Sequence, residues 1–227
     1  MGTSLRAAFD RELEAIGQDT LRLQGMVDRA IERAVESLKQ RDRALAGEVI
    51  AGDQEVNDLR FKIEEDCLAL IATQQPTATD LRAVIAIMNV AVEMERMADH
   101  AAGIAKTVLR MGDQPLLKPL IDIPKMAELG RQMLRASVEA LLARDADRAR
   151  AVAARDDEMD ELYFAVFDEL VEIMAHKPDT VERATYLLWC AHNLERIGDR
   201  VTNIAERAVF ITTGAMKELN IKRDEGG

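Results

Sequence analysis

Apolar residues recur every three or four positions along almost the whole chain, the period of helices lying on a core. Leu5, Phe9, Leu13 and Ile16, then Leu23, Met26, Ala30, Val35 and Leu38, predict a first helix ending near Lys39. Asp42 reads as the N-cap of a second, carried by Leu45, Val49, Val56, Leu59, Ile63 and the apolar run 67–71. QQPTATD breaks that helix, because Pro76 lacks an N–H and Thr79 or Asp80 can cap the next. A third runs from Leu81 through Met94 and Ile104 to about Arg110. Residues 111–124 hold three prolines and one glycine and form the strongest linker signal. Three more helices follow at 125–143, 147–175 and 180 to about 213, the last two parted by Lys177-Pro178-Asp179. KELNIKRDEGG ends the chain as a polar tail.

The second half repeats the first. From Leu38/Leu141 to Ala72/Ala175 the offset is 103 residues, matching Asp42 with Asp145, Asp53 with Asp156, and Phe61 with Phe164. Beyond the proline-containing turns the offset is 100, which confines a three-residue difference to a turn. The expectation is an all-α chain of two homologous antiparallel three-helix bundles in tandem. The first covers 1–112, a proline-rich linker 113–124, the second bundle 125–214 and the tail 215–227.

Composition agrees with helices. Apolar residues are 48% and charged residues 31% of 227, while aromatics are only 4%, short of what sheets favour. The net charge of −11 argues against nucleic acid as a partner, since phosphate backbones need a basic face. Cys67 and Cys190 form no C-x-x-C and read as core filler in a reducing compartment. No apolar run is long enough to span a membrane and no secretory leader opens the chain, so a cytoplasmic location is expected.

One helix motif is written twice, 100 residues apart: Glu95-Arg96-Met97-Ala98-Asp99 and Glu195-Arg196-Ile197-Gly198-Asp199. Residues four apart share a helical face. That spacing alone carries little, because 41 acidic residues give roughly seven such pairs by chance and the chain has eight. Position adds more. Asp53 and Asn57 lie about as far before the first turn as Glu95 and Asp99 lie after it, and Asp156 and Asp160 stand likewise to Glu195 and Asp199. Antiparallel hairpins therefore bring each set level, with Asn203 one turn beyond Asp199. Two readings follow. The carboxylates could hold hard cations, or bridge iron or zinc; or Arg96, Arg196, Arg200 and Arg207 could neutralise them in a solvated network. His100, His176 and His192 show no ligand spacing and read as surface or helix-end groups, while Trp189, Met88 and Met94 read as core. No phosphate loop, nucleophile elbow or Cys/His dyad is present.

The segments QRDRALAGEVIAGDQEVNDL, QPTATDLRAVIAIMNVAVEMERMAD and CAHNLERIGDRVTNIAER resemble the PhoU family of bacterial phosphate-transport accessory and phosphate-signalling proteins, over nearly the whole chain. The resemblance implies two three-helix bundles with metal ions or clusters at the E/D-x-x-x-D motifs. It also implies a cytoplasmic negative regulator, often a homodimer, linking the ATPase of a phosphate ABC transporter to a sensor histidine kinase. Carried over, the metal positions are Asp53, Glu95 and Asp99, then Asp156, Asp160, Glu195 and Asp199; the metal could be iron, zinc, manganese or magnesium. Asn57 replaces an acid, and Gly103 stands where the second copy has Asn203, so the first site should bind more weakly. A metal-dependent carboxylate-site enzyme and a purely structural acidic bundle are the competing expectations.

Overall fold

A computed structural model describes residues 2–219, with side chains from Arg6 onward, so the side chain of Leu5 and the tail from 220 lie outside what is described. The elements are α1 (Gly2–Gln40), α2 (Arg43–Gln74), α3 (Ala78–Met111), α4 (Asp122–Ala143), α5 (Ala146–Ala153), α6 (Asp156–His176), a 3-10 turn (Pro178–Thr180) and α7 (Val181–Thr213). No strand occurs among the described residues.

The duplication reaches the turns. After α1, Arg41 adopts a left-handed conformation (φ 56°), and after α4 its counterpart Arg144 does the same (φ 54°). At both places the next N–H reaches five residues back, Asp42 to Ser37 and Asp145 to Ala140, each at 2.9 Å. This is the Schellman closure of a helix end. Each Asp then caps the following helix: Asp42 Oδ1 accepts from the N–H of Ala44 and Leu45, and Asp145 Oδ1 from that of Arg148.

Three boundaries differ from expectation. The segment 147–175 is not one helix. Between α5 and α6 the N–H of Arg155 turns to Val152 three residues back, and Arg155 O accepts from Glu158 at 3.1 Å. Asp156, Asp157 and Glu158 crowd the first turn of α6, where three acids favour the positive end of a helix dipole; the matching stretch of α2 begins Gly52-Asp53-Gln54 and runs on unbroken. α4 starts at Asp122 rather than 125, so Pro124 falls in its first turn, where its missing N–H costs nothing. α3 starts at Ala78 with Thr77 as its N-cap residue, leaving Asp80 inside the first turn. The segment between α3 and α4 is packed: Leu116, Leu117 and Leu120 lie against the core, and Lys118 pairs with Glu169 of α6.

One continuous core runs through both bundles, from Leu23, Ile31 and Ile63 through Met94 and Met97 to Met126, Leu134 and Ile197. The halves meet mainly where α3 lies on α7, and also where α1 meets α4. Their contacts follow a pseudo-two-fold. Glu93 Oε2 accepts from Asn203 at 3.0 Å and faces Arg200 at 3.3 Å. At the related position Asn193 Oδ1 lies 3.0 Å from His100 Nδ1, and 2.9 Å from where a Cβ would stand on Gly103. On α1 and α4, Asp28 faces Arg131, its own counterpart at the 103-residue offset, at 3.0 Å, with Arg135 at 2.6 Å. A perfectly repeated sequence would set like against like here. The divergence to Asp and Arg makes the contact complementary, and both partners are largely buried.

Candidate functional site: two acidic sets on helical hairpins

The first set comes together. Asp53 on α2 and Glu95 and Asp99 on α3 are electrostatic neighbours, as the antiparallel hairpin requires. Burial pushes the Asp53 carboxyl above its ordinary range and the charge of Asp99 pushes it further, against the pull of Lys106. Glu95 is raised in the same order, by burial and then by Asp99, with Arg60 opposing and Asp53 adding. Asp53 Oδ2 accepts only a long bond from Asn57 Nδ2 at 3.5 Å, while its buried Oδ1 has no hydrogen-bond partner. Asp53 also lines a groove of about 140 Å³ with Arg29, Gly52 and Ala98. Arg96, the residue beside Glu95, turns away to Glu93 at 3.2 Å.

The second set converges with its charge answered differently. Asp156, buried at the start of α6, has Oδ1 3.0 Å from the position of a Cβ on Gly198, between Glu195 and Asp199 of α7. Asp160 is half-buried one turn further along α6. Arg196 bridges the α7 pair, with Nε 2.9 Å from Glu195 Oε2 and Nη1 3.0 Å from Asp199 Oδ2. His192 Nδ1 stands 3.5 Å from the same Glu195 oxygen. Asn203 donates its Nδ2 to Glu93 of the other bundle at 3.0 Å.

Of the four arginines expected to neutralise carboxylates, then, Arg196 does so within its own set. Arg96 and Arg200 converge on Glu93, and Arg207 contacts the sulfur of Met216. Glu93 is the residue that sequence reasoning passed over. It sits two positions before Glu95, and the α3–α7 crossing adds Arg200 and Asn203 to Arg96 of its own helix. His100, expected at the surface, is half-buried against Asn193, and burial holds its imidazole below the usual range. Trp189, expected in the core, is 44% exposed with the Arg110 guanidinium 5.9 Å from its ring centre; Met94 is fully buried. Both thiols are buried, and burial pushes each up to about 12.

The first set suits a hard cation in chemistry: the charge of Asp99 raises both Asp53 and Glu95, Asp53 raises Glu95 further, and a buried oxygen lacks a donor. Yet among the described residues no three His, Cys, Asp or Glu side chains stand in a ligating group. No helix is long and apolar enough to cross a membrane among those residues.

Comparison with known proteins places this geometry in context. The model of the PhoU domain matches residues 20–108 and again 123–208. A phosphate-specific transport system accessory protein PhoU homolog of Clostridium acetobutylicum is 34% identical over 216 residues, 95% of this chain and 99% of that protein. One of the same description from Caulobacter vibrioides is 36% identical over 217 residues, 95% and 94% of the two chains. Among solved structures, the phosphate transport system regulatory protein PhoU from Streptococcus pneumoniae superposes with a TM-score of 0.86 at 32% identity, covering 92% of this chain and 99% of that one. PhoU from Pseudomonas aeruginosa superposes with the same score at 30% identity.

Proposed function

The chain belongs to the PhoU family, and from that premise we propose that it is a cytoplasmic negative regulator of phosphate uptake and of the phosphate-starvation response. In this reading it links the ATPase subunit of a phosphate ABC transporter to a sensor histidine kinase, acts without catalysis of its own, and works as a homodimer. The observation that carries the reading is end-to-end likeness to proteins described as accessory to phosphate-specific transport, with the domain matched twice. Affinity capture from phosphate-replete cells should recover the ATPase or the kinase, and deletion should leave phosphate-starvation genes expressed in high phosphate. Recovery of neither partner, with unchanged regulation on deletion, would defeat the reading.

Metal binding belongs to the same proposal. Asp53, Glu95 and Asp99 would hold one ion or cluster, and Asp156, Asp160, Glu195 and Asp199 another, with iron, zinc, manganese or magnesium as candidates. Bound cations would offset the mutual repulsion of the carboxylates. Sequence alone ranks the second site as the stronger because of Asn57. Arg196 bridging Glu195 and Asp199 supports the opposite order, because a cation entering there would have to displace an ion pair. Elemental analysis of natively purified protein, compared between Asp53→Ala/Asp99→Ala and Glu195→Ala/Asp199→Ala, decides it. The larger loss is expected from the first pair, and unchanged metal in both variants rules out both sites.

A further inference from the structure

α6 carries an apolar ridge on its outer face. Phe164 is 58% exposed, Phe167 40% and Val171 41%, at the three- and four-residue steps that line up along one side of a helix. Tyr163, half-buried between ridge and core, braces both phenylalanines, with ring centres 5.7 and 6.4 Å away. Three of the chain's eight aromatic residues thus fall within five positions, the residue type that most often anchors protein contacts. The ridge is edged by exposed Glu161, Asp168 and Glu172, and the whole of α6 holds eight acidic residues and no Lys or Arg.

The repeat itself shows what this ridge lacks. Phe61 and Leu68 of α2, at 52% and 56% exposure, are the counterparts of Phe164 and Val171 at the 103-residue offset. In α2 the chain sets its own cation against the aromatic: the Arg60 guanidinium lies 4.3 Å from the Phe61 ring centre, and Lys62 pairs with Asp19 and Asp66. The positions of Arg60 and Lys62 are taken in α6 by Tyr163 and Ala165. A cation over the ring and a counter-charge beside it are supplied internally in one half and removed from the other.

We propose that the α6 ridge is the docking face for a cationic amphipathic helix of a partner protein, whose apolar side seats on Phe164, Phe167 and Val171 and whose Lys or Arg side chains meet Glu161, Asp168 and Glu172. The assignment rests on the regulatory reading above for the partner's identity, and names the face it uses. A second copy would bring the same acidic residues to the contact, and like charges oppose that pairing. An anionic membrane surface is repelled for the same reason.

The probe is a synthetic helical peptide of about 18 residues with a leucine stripe and lysines elsewhere, set beside one with glutamates for lysines. Fluorescence anisotropy should show the lysine peptide binding and the glutamate peptide not. F164S/F167S should weaken it about tenfold or more, as loss of central anchors does, and F61S/L68S should leave it nearly unchanged. Bound peptide should slow amide exchange over residues 161–172. Should F164S/F167S lose helix content by circular dichroism, E161K/D168K/E172K carries the test, by transferring preference to the glutamate peptide. No binding of the lysine peptide, protection on another face, or equal affinity in the variants overturns the proposal; so does self-association by light scattering that F164S/F167S abolishes. The purified transporter ATPase and kinase are then titrated against the same variants. If wild-type protein binds neither while the ridge variants alter peptide binding, the regulatory reading fails and the docking face stands. If it binds one and F164S/F167S changes neither that nor peptide binding, the docking face fails and the regulatory reading stands.

Discussion

Asp53 and Glu95 concentrate the electrostatic strain of the first hairpin. A carboxyl whose folded-state pKa lies above its unfolded value binds protons more tightly when folded. Its contribution to stability is therefore fully present below the unfolded carboxylate range and is lost as pH rises through the raised value. At neutral pH both groups stand as a penalty, sustained by burial and by Asp99. Asp53→Asn and Glu95→Gln should each raise the melting temperature of metal-free protein at pH 7, by about 1–2 °C after solvent screening of half-exposed groups. At pH 4 the gain should shrink, and the stabilisation conferred by added manganese should shrink with it. Differential scanning fluorimetry at the two pH values, with and without chelator, reads all of this.

At the scale of single helices, caps and close approaches decide the outcome. Asp42 Oδ1 satisfies two of the four N–H groups that the start of α2 leaves open. Asp42→Ala should cost about 1 kcal/mol in urea denaturation. Gly198 lets α6 approach α7: a Cβ there would stand 3.0 Å from both Asp156 Oδ1 and Met159 Cγ, atoms of buried residues. Gly198→Ala should destabilise by about 1–3 kcal/mol. Gly47, inside α2 with nothing within 4 Å of the equivalent position, gives the opposite sign. Gly47→Ala should stabilise by about 0.5–1 kcal/mol, because only the unfolded-chain and helix-propensity effects remain. The three substitutions together separate capping, packing and propensity within one pair of hairpins.

The whole molecule is one core with a pseudo-two-fold seam. Because apolar residues run continuously from α1 through α3 and α7 to α4, the two bundles should unfold together. The single tryptophan, Trp189, lies in the second bundle beside Arg110 of the first. Its fluorescence should therefore lose signal at the same urea concentration as far-UV circular dichroism, which sees every helix. Two separated transitions would mean that the seam is weak. Glu93 is the polar centre of that seam, held by Arg96, Arg200 and Asn203. Glu93→Ala leaves these donors around a vacated site and should cost about 1–3 kcal/mol. A double-mutant cycle with Asn203→Ala should return a coupling of about 0.5–1.5 kcal/mol.

Local chemistry was legible in the chain by itself. Helical periodicity, Asp42 and Asp145 as caps, Pro76 and Pro178 as breaks, and the offset of the two halves determined the helices, the duplication and the height at which each acidic set lies, because these features act between residues close in sequence. The interruption between Val152 and Asp156 was not legible. It belongs to a stretch that reads as continuous helix, and the burial of Asp156 against Gly198 completes it. Nor could periodicity say which stripe of α3 would face α7. That choice brought Arg200 and Asn203 to Glu93, buried His100 against Asn193 and exposed Trp189. A helix with apolar residues on more than one side can pack in several ways, and contacts between residues about 100 positions apart are selected only when the whole core closes.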